Sequence, residues 1–240
     1  VAGGVTSENA GAMVEAGAAI VIVGGALHKA TDAAAAARQL KTAMTERRAV
    51  ASALGRRTGE KELRETLLSV STANLSDALH HQPGLRGLPC RTPGRKLAGS
   101  VTTVRIAPGD WNKVVQAIDA AGPGGVLAVD AGGVPPAVWG ELATRSALQV
   151  GLAGVVIAGC VRDTDVILGL GLPIFSSGVC PDSGDPKGFG EIGAQISLGG
   201  QTVGPGDWLV GDDDGLLLLP REKAVEYANA NGMKTFGMTG

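Results

Sequence analysis

"VLAVDAGGVPPAVWGELATRSALQVGLAGVVIAGCVRD", residues 126–163, runs from an apolar segment through a Gly/Pro loop and a helical pattern to a second apolar segment that ends on two opposite charges. The two apolar runs are rich in Val, Ile, Leu and Ala and are bounded by glycine, the pattern of strands covered on both faces. Strand, helix and strand in this order make one parallel unit of an α/β layer. The loop after the first strand then feeds a helix N-terminus, whose free N–H groups and dipole favour an anion. Gly140, Glu141, Leu142 and Ala143 stand at that position. If the strands are neighbours, the end of the second brings Arg162 and Asp163 to the same crevice. Arginine offers a planar fork that matches a carboxylate, and aspartate offers hard oxygens for a divalent cation. Together they describe a site for a small keto acid and a metal. The plain alternative is a strand-end cap or a solvated surface pair.

Working outward, strands are expected at "LAGSVTTVRI", "LPIFSSG", "AQISLGG" and "WLVGDDDGLLLLP", and helices at "EKELRETLLSV" and "DWNKVVQAIDAAG". Some strands are joined by short Gly/Pro turns and others by helices, so the sheet should be mixed, in α/β layers. "GGVPPAVWG" and "PDSGDPKGFGEIG" are loop-like, and sites are built on such loops. Residues 1–44 read as a separate βαβα unit, with Thr6 or Ser7 capping its first helix and Thr31 or Asp32 its second. The charged stretch 45–60 reads as a linker, leaving 61–240 as the second domain.

The 240 residues, 44% hydrophobic, suffice for a substantial core. A net charge of −2 without a dense Lys/Arg run argues against nucleic acid or anionic lipid as a partner. Three cysteines outside any CxxC spacing fit a reducing compartment, so a cytoplasmic location is expected, with no membrane association. "AGAAIVIVGGAL" is too short for a membrane span and has no basic segment before it. The chain opens on Val1 rather than Met, so an upstream segment is expected.

"LSDAL", "PGRKLAGSVTTVR", "AIDAAGPGGVLAVDAGG", "WGEL", "GLAGVVIAGCVRDTD", "GFGEIG" and "VGPGDWLVGDDDGLLLLP" follow one another in an order that resembles the RraA-like family. That family is named after the regulator of ribonuclease E activity A and includes metal-dependent 4-hydroxy-4-methyl-2-oxoglutarate/4-carboxy-4-hydroxy-2-oxoadipate aldolases. The resemblance covers about residues 60–225 and implies a mixed-sheet α/β sandwich of the swivelling β/β/α type. Aldolase members carry an acidic residue, a fixed interval and then Arg-Asp; here Glu141, the interval 142–161 and Arg162-Asp163 complete the pattern. The resemblance implies that Asp163 ligates Mg²⁺ or Mn²⁺ and that Arg162 binds the keto oxygen. Main-chain amides of Gly140, Glu141, Leu142 and Ala143 would hold the pyruvate carboxylate, and Glu141 would order metal-bound water. Glu191 would reach the site from a neighbouring subunit, since family members form trimers and dimers of trimers. The implied activity is a class II aldolase or decarboxylase releasing pyruvate from 2-oxo acids, oxaloacetate included. A non-catalytic regulator that binds a ribonuclease is the alternative the same family offers, and members of that kind tend to lack the aspartate retained here.

"VAGGVTSENAGAMVEAGAAIVIVGGALHKATDAAAAARQLK" resembles the last two βα units of 3-hexulose-6-phosphate synthase, a TIM-like barrel. In that family the matching glycines, Gly3, Gly4, Gly24 and Gly25, offer N–H groups to a phosphate. The chemistry there lies on earlier strands, so the expectation is a vestigial phosphate site and the remnant of a bifunctional fusion. His80 and His81 are expected in solvent, the run Asp212, Asp213 and Asp214 in a solvated turn, Cys160 in a small buried position, and Trp139 and Trp208 in packing.

Overall fold

The computed structural model describes residues 5–28, 30, 33–51 and 62–228, which fall into two compact units, one within residues 1–58 and one within 59–231. The first contains α1 (Ala10–Glu15), α2 (Gly25–His28) and α3 (Ala33–Glu46). Its core joins Val5, Ala10, Leu40 and Ala43. Neither Thr6 nor Ser7 is the N-cap residue of α1, which is Asn9; Thr6 instead closes the turn ahead of the helix, its hydroxyl accepting from the Glu8 N–H at 3.3 Å while Asn9 Oδ1 accepts from the Thr6 N–H at 2.8 Å.

The βαβα expectation meets a different outcome. The first strand, with Gly3 and Gly4, lies almost wholly outside the described residues. The second is reduced to an isolated bridge position at Ile22, and Gly25 begins a helix instead. A parallel strand needs neighbours for its N–H and C=O groups, and among the described residues of this unit no ladder forms. Ile20 and Ile22 are accordingly exposed. The linker expected at 45–60 overlaps the end of α3, and its later part lies outside the described residues.

The second unit runs α4 (Leu63–Leu68), α5 (Thr72–Ala78), β1 (Leu97–Ile106), α6 (Asn112–Ala121), β2 (Val126–Asp130), α7 (Glu141–Val150), β3 (Gly154–Val161), α8 (Thr164–Leu170), β4 (Ile174–Val179), β5 (Gly190–Ile192), β6 (Ile196–Leu198), β7 (Gln201–Val203), β8 (Trp208–Asp212) and β9 (Gly215–Leu219). The main sheet has the order β4-β3-β2-β1-β8-β9, parallel from β4 to β1 and antiparallel beyond, with β5 antiparallel to the end of β1. It is the mixed sheet expected. Alternation along β2 explains the layers: Leu127 and Val129 face α6, α7 and α8, while Val126 and Ala128 face the β6–β7 ribbon. A third cluster packs α4 and α5 on Val210, Leu217 and Leu219. Among the described residues no helix is long and apolar enough to cross a membrane.

Four elements of this unit were not expected: α5, α8, β5 and β7. The last two are three-residue strands, below the length at which alternation can be read. Asp213 and Asp214 form the exposed turn expected between β8 and β9, but the run also does more. Asp212 accepts from the Thr72 N–H and hydroxyl, and Asp213 accepts from the Gly94 N–H, so two of the three carboxylates clasp other segments to the β8–β9 hairpin.

Candidate active site

The helix of this unit, α7, starts at Glu141, because residues 138–140 run alongside the end of β3. The Val138 N–H donates to Cys160 O, the Arg162 N–H donates to Trp139 O, and Trp139 bridges Val161 in parallel. Trp139 is buried, and its Nε1–H donates to Thr144 Oγ1 at 2.8 Å, which in turn donates to Gly140 O at 2.8 Å. The indole thereby locks the turn into α7. Gly140 is the N-cap residue, and Glu141 opens the first turn.

β3 ends one residue before Arg162, and Asp163 follows at φ 58°, ψ 39°, as the N-cap residue of α8. The left-handed region costs most L-residues about 1–2 kcal/mol, but aspartate visits it more readily. This turn points the carboxylate across the crevice at the start of α7: Asp163 Oδ2 accepts from the Glu141 N–H at 3.0 Å. Gly140 makes room for it, since a Cβ there would stand 2.5 Å from Asp163 Oδ2 and 3.2 Å from Arg162 Cγ. Arg162 Nε lies 3.7 Å from the same oxygen. Both side chains are partly exposed, 43% for Arg162 and 36% for Asp163. Glu141 lies on the other side of the turn and pairs with Arg145, Nε to Oε1 at 2.8 Å.

Glu141, Arg162 and Asp163 line one cleft of about 460 Å³ together with Thr164, Asp165, Val166, Val179, Cys180 and Pro181. Leu142 and Ala143 follow on the first turn of α7, where N–H groups precede any intrahelical partner. One amide of that turn, Glu141's, is taken by Asp163. Glu191 lies elsewhere, on β5, ion-paired with Arg105 at 3.2 Å. Gly24 sits in the first unit, just before α2. The sequence reading assigned no roles to Asp165, Val166, Val179, Cys180 or Pro181. The repeated aspartates of "RDTD" were a usable signal for Asp165; Val166 follows it on α8, and the others come from the end of β4 and the turn after it. Burial, then a hydrogen bond with the Cys160 thiol and the nearby charge of Asp182, push the Cys180 thiol up to about 11. At pH 7 it is therefore a neutral wall rather than a nucleophile. Cys160 is buried, and His80 and His81 are exposed in the turn after α5.

The loop carrying Pro181 is held from below. Asp110 is 2% exposed, and its carboxylate accepts from the N–H groups of Asn112 (3.1 Å), Lys187 (3.1 Å) and Phe189 (2.6 Å). Burial raises its pKa, but the backbone donors, Gly188 among them, outweigh this and hold the carboxyl below its ordinary value. A depressed carboxyl stabilises the fold fully above its unfolded pKa, roughly 4, and the contribution disappears as pH falls through the folded value. Asp110→Asn is expected to cost about 1–3 kcal/mol at pH 7, by putting an amide N–H₂ against backbone donors. Thermal unfolding of both proteins should show this gap shrinking as the pH is lowered from 7 towards 3, and a gap independent of pH would contradict the role.

No three or more His, Cys, Asp or Glu side chains among the described residues are grouped so as to hold a metal by themselves. The donor chemistry still suits a hydrated Mg²⁺ or Mn²⁺, which takes one or two carboxylates and keeps several waters. Asp163 is partly exposed at the cleft, with Asp165 lining it too.

The RraA-like family described as Aldolase/RraA matches residues 72–218 of this chain. An uncharacterized protein of Methanocaldococcus jannaschii is 37% identical over 172 residues, 70% of this chain and 82% of that protein. A protein of Halalkalibacterium halodurans named "Putative 4-hydroxy-4-methyl-2-oxoglutarate aldolase" is 34% identical over 155 residues, 64% of this chain and 74% of that one. Among solved structures, one titled as the RNA-processing inhibitor RraA from Thermus thermophilis is similar with a TM-score of 0.59 and 33% identity, over 63% of this chain and 93% of that one.

Proposed function

The chain belongs to the RraA-like family, and from that premise we propose that it is a divalent-metal-dependent aldolase or decarboxylase that releases pyruvate from a 2-oxo acid. The observation that carries the proposal is the meeting of Arg162, Asp163 and Glu141 in one cleft beside the first turn of α7. Several family relatives carry the aldolase name.

In this reading the amides of Gly140, Leu142 and Ala143 at the start of α7 bind the pyruvate carboxylate, an anion at a helix N-terminus, while the Glu141 N–H of the same expected set stays on Asp163. Arg162 directs its fork at the keto oxygen. As the C3–C4 bond breaks, negative charge grows on that oxygen, and a guanidinium already in place stabilises it more than the ground state. Asp163 holds the cation, with Glu141 orienting a water beside it. The cation supplies Lewis-acid polarisation of the 2-oxo group. The extended segment 138–140 and the left-handed turn at Asp163 keep the two charged residues at one rim, so little reorganisation is needed on binding. Glu191 is proposed to act on a neighbouring copy in a trimer, because in its own chain it faces Arg105.

The test is pyruvate release from oxaloacetate and from 4-hydroxy-4-methyl-2-oxoglutarate with Mg²⁺ and then with EDTA. Turnover of at least one substrate is expected, and it should disappear with EDTA and return with Mg²⁺ or Mn²⁺. No metal-dependent turnover would favour instead a regulator of the kind the Thermus protein's title describes.

A further inference from the structure

A connected series of hydrogen bonds runs from the core behind the cleft to Asp163. It begins at Trp139, 3% exposed, whose indole N–H donates to Oγ1 of Thr144, 0% exposed, at 2.8 Å. An indole can only donate, so the hydroxyl that receives it is free to turn its own proton elsewhere. That proton goes to Gly140 O, also at 2.8 Å. The Gly140 carbonyl and the Glu141 N–H are the two ends of one planar trans peptide and point in opposite directions. On the far side this N–H donates to Asp163 Oδ2 at 3.0 Å. Fixing the carbonyl therefore fixes the direction from which the carboxylate is held. Groups in such a chain also polarise one another, so each link strengthens the next.

A helical threonine often bonds the carbonyl four residues back with no wider consequence. Two features set Thr144 apart. Its hydroxyl has both a donor and an acceptor partner in a place closed to water, which leaves it one orientation. The peptide it grips is also the one that reaches Asp163. Trp139 further accepts from the Arg162 N–H with its own carbonyl at 3.0 Å, so one buried residue holds both members of the charged pair. Because Trp139 and Thr144 are buried within their own chain, a neighbouring copy that adds to the rim of the cleft leaves these bonds as they are.

We propose, on the metal-dependent reading of this site, that Trp139 and Thr144 are positioning residues: through the Gly140–Glu141 peptide they hold Oδ2 of Asp163, so that its other oxygen, Oδ1, is presented to the divalent cation. The test uses the full chain and four variants. Thr144→Val removes the hydroxyl at nearly constant volume, Thr144→Ser keeps it, Trp139→Phe removes the indole N–H, and the fourth combines Trp139→Phe with Thr144→Val. Calorimetry with Mn²⁺ alone gives the affinity, pyruvate release from oxaloacetate with Mg²⁺ gives kcat/KM, and thermal unfolding gives stability.

Thr144→Val is expected to weaken Mn²⁺ binding and to lower kcat/KM by about tenfold or more, the scale on which losing a group that orients a metal ligand acts. It should also melt below wild type, because the buried indole N–H loses its acceptor. Thr144→Ser should restore affinity and rate, and Trp139→Phe should lose less of both than Thr144→Val, since the hydroxyl still holds Gly140 O. In the Thr144→Val background Trp139→Phe should cost less stability than in wild type, as it removes the orphaned donor, while Mn²⁺ affinity stays at the Thr144→Val level. Thr144→Val with wild-type Mn²⁺ affinity, Thr144→Ser as weak as Thr144→Val, affinities that merely follow melting temperature across the four variants, or a wild type that takes up no Mn²⁺ overturns the proposal. A wild type that binds Mn²⁺ without releasing pyruvate removes the aldolase reading and leaves the affinities to decide.

Discussion

Asp163→Asn is expected to lower metal-dependent pyruvate release by about 10³-fold or more, a loss of some 4 kcal/mol in transition-state stabilisation, with the melting temperature within a few degrees of wild type. The side chain has two tasks. One is the proposed metal ligation, which needs the negative charge. The other is the cap on α7, which needs only an oxygen that accepts from the Glu141 N–H, 3.0 Å away. Asparagine keeps that oxygen and tolerates the left-handed backbone at φ 58°, so it separates the tasks. Asp163→Ala does not, because it loses the cap, worth about 0.5–2 kcal/mol, and puts alanine in the left-handed region at about 1–2 kcal/mol more. It should therefore melt several degrees lower as well as being inactive. Rate, Mg²⁺ titration and melting temperature on both variants check this. An asparagine variant with wild-type Mg²⁺-stimulated turnover would sink the metal assignment.

Arg162→Lys is expected to cost about 2–4 kcal/mol in kcat/KM, on the order of 10²–10³ in rate, and almost nothing in stability. Lysine keeps the charge but loses the planar fork that meets an oxygen and a carboxylate together. The backbone of this residue is held by its own N–H on Trp139 O, which the substitution leaves alone. The side chain is 43% exposed and its ion pair with Asp163 is long at 3.7 Å, so the pair itself is worth under about 1 kcal/mol. A surface pair without a role in turnover would accept lysine with unchanged kcat/KM. Because both readings predict an unchanged melting temperature, the kinetic measurement decides between them. The Mg²⁺ titration midpoint should stay near wild type, since the cation is assigned to Asp163.

Apart from β5, the strands of the main sheet and the helices α6 and α7 were legible because each is a run long enough for its periodicity to show. β2 and β3 are continuous apolar segments, and α7 ends on Gly151, which takes the left-handed C-cap conformation. Glu141, Arg162 and Asp163 could be set side by side on the argument that adjacent parallel strands deliver their ends to one crevice, and β2 and β3 are indeed neighbours. The pairing of Glu141 with Arg145 was also available as an i,i+4 spacing.

What the local sequence determined is therefore the order of elements and the identity of the charged rim. Tertiary structure alone decided the rest. The opposite wall of the cleft comes from Val179, Cys180 and Pro181, which join it because β4 pairs with β3 through a register shift between Ile157 and Cys160. The Asp110 clasp reaches residues 187 and 189, far along the chain. β5 exists only because β1 offers it an edge, and near the N-terminus an apolar stretch that reads as a strand forms no ladder among the described residues. Periodicity reports which face of a segment avoids water. It carries no information about which distant backbone will supply the hydrogen bonds, and that supply decides whether a strand, a wall or a clasp forms.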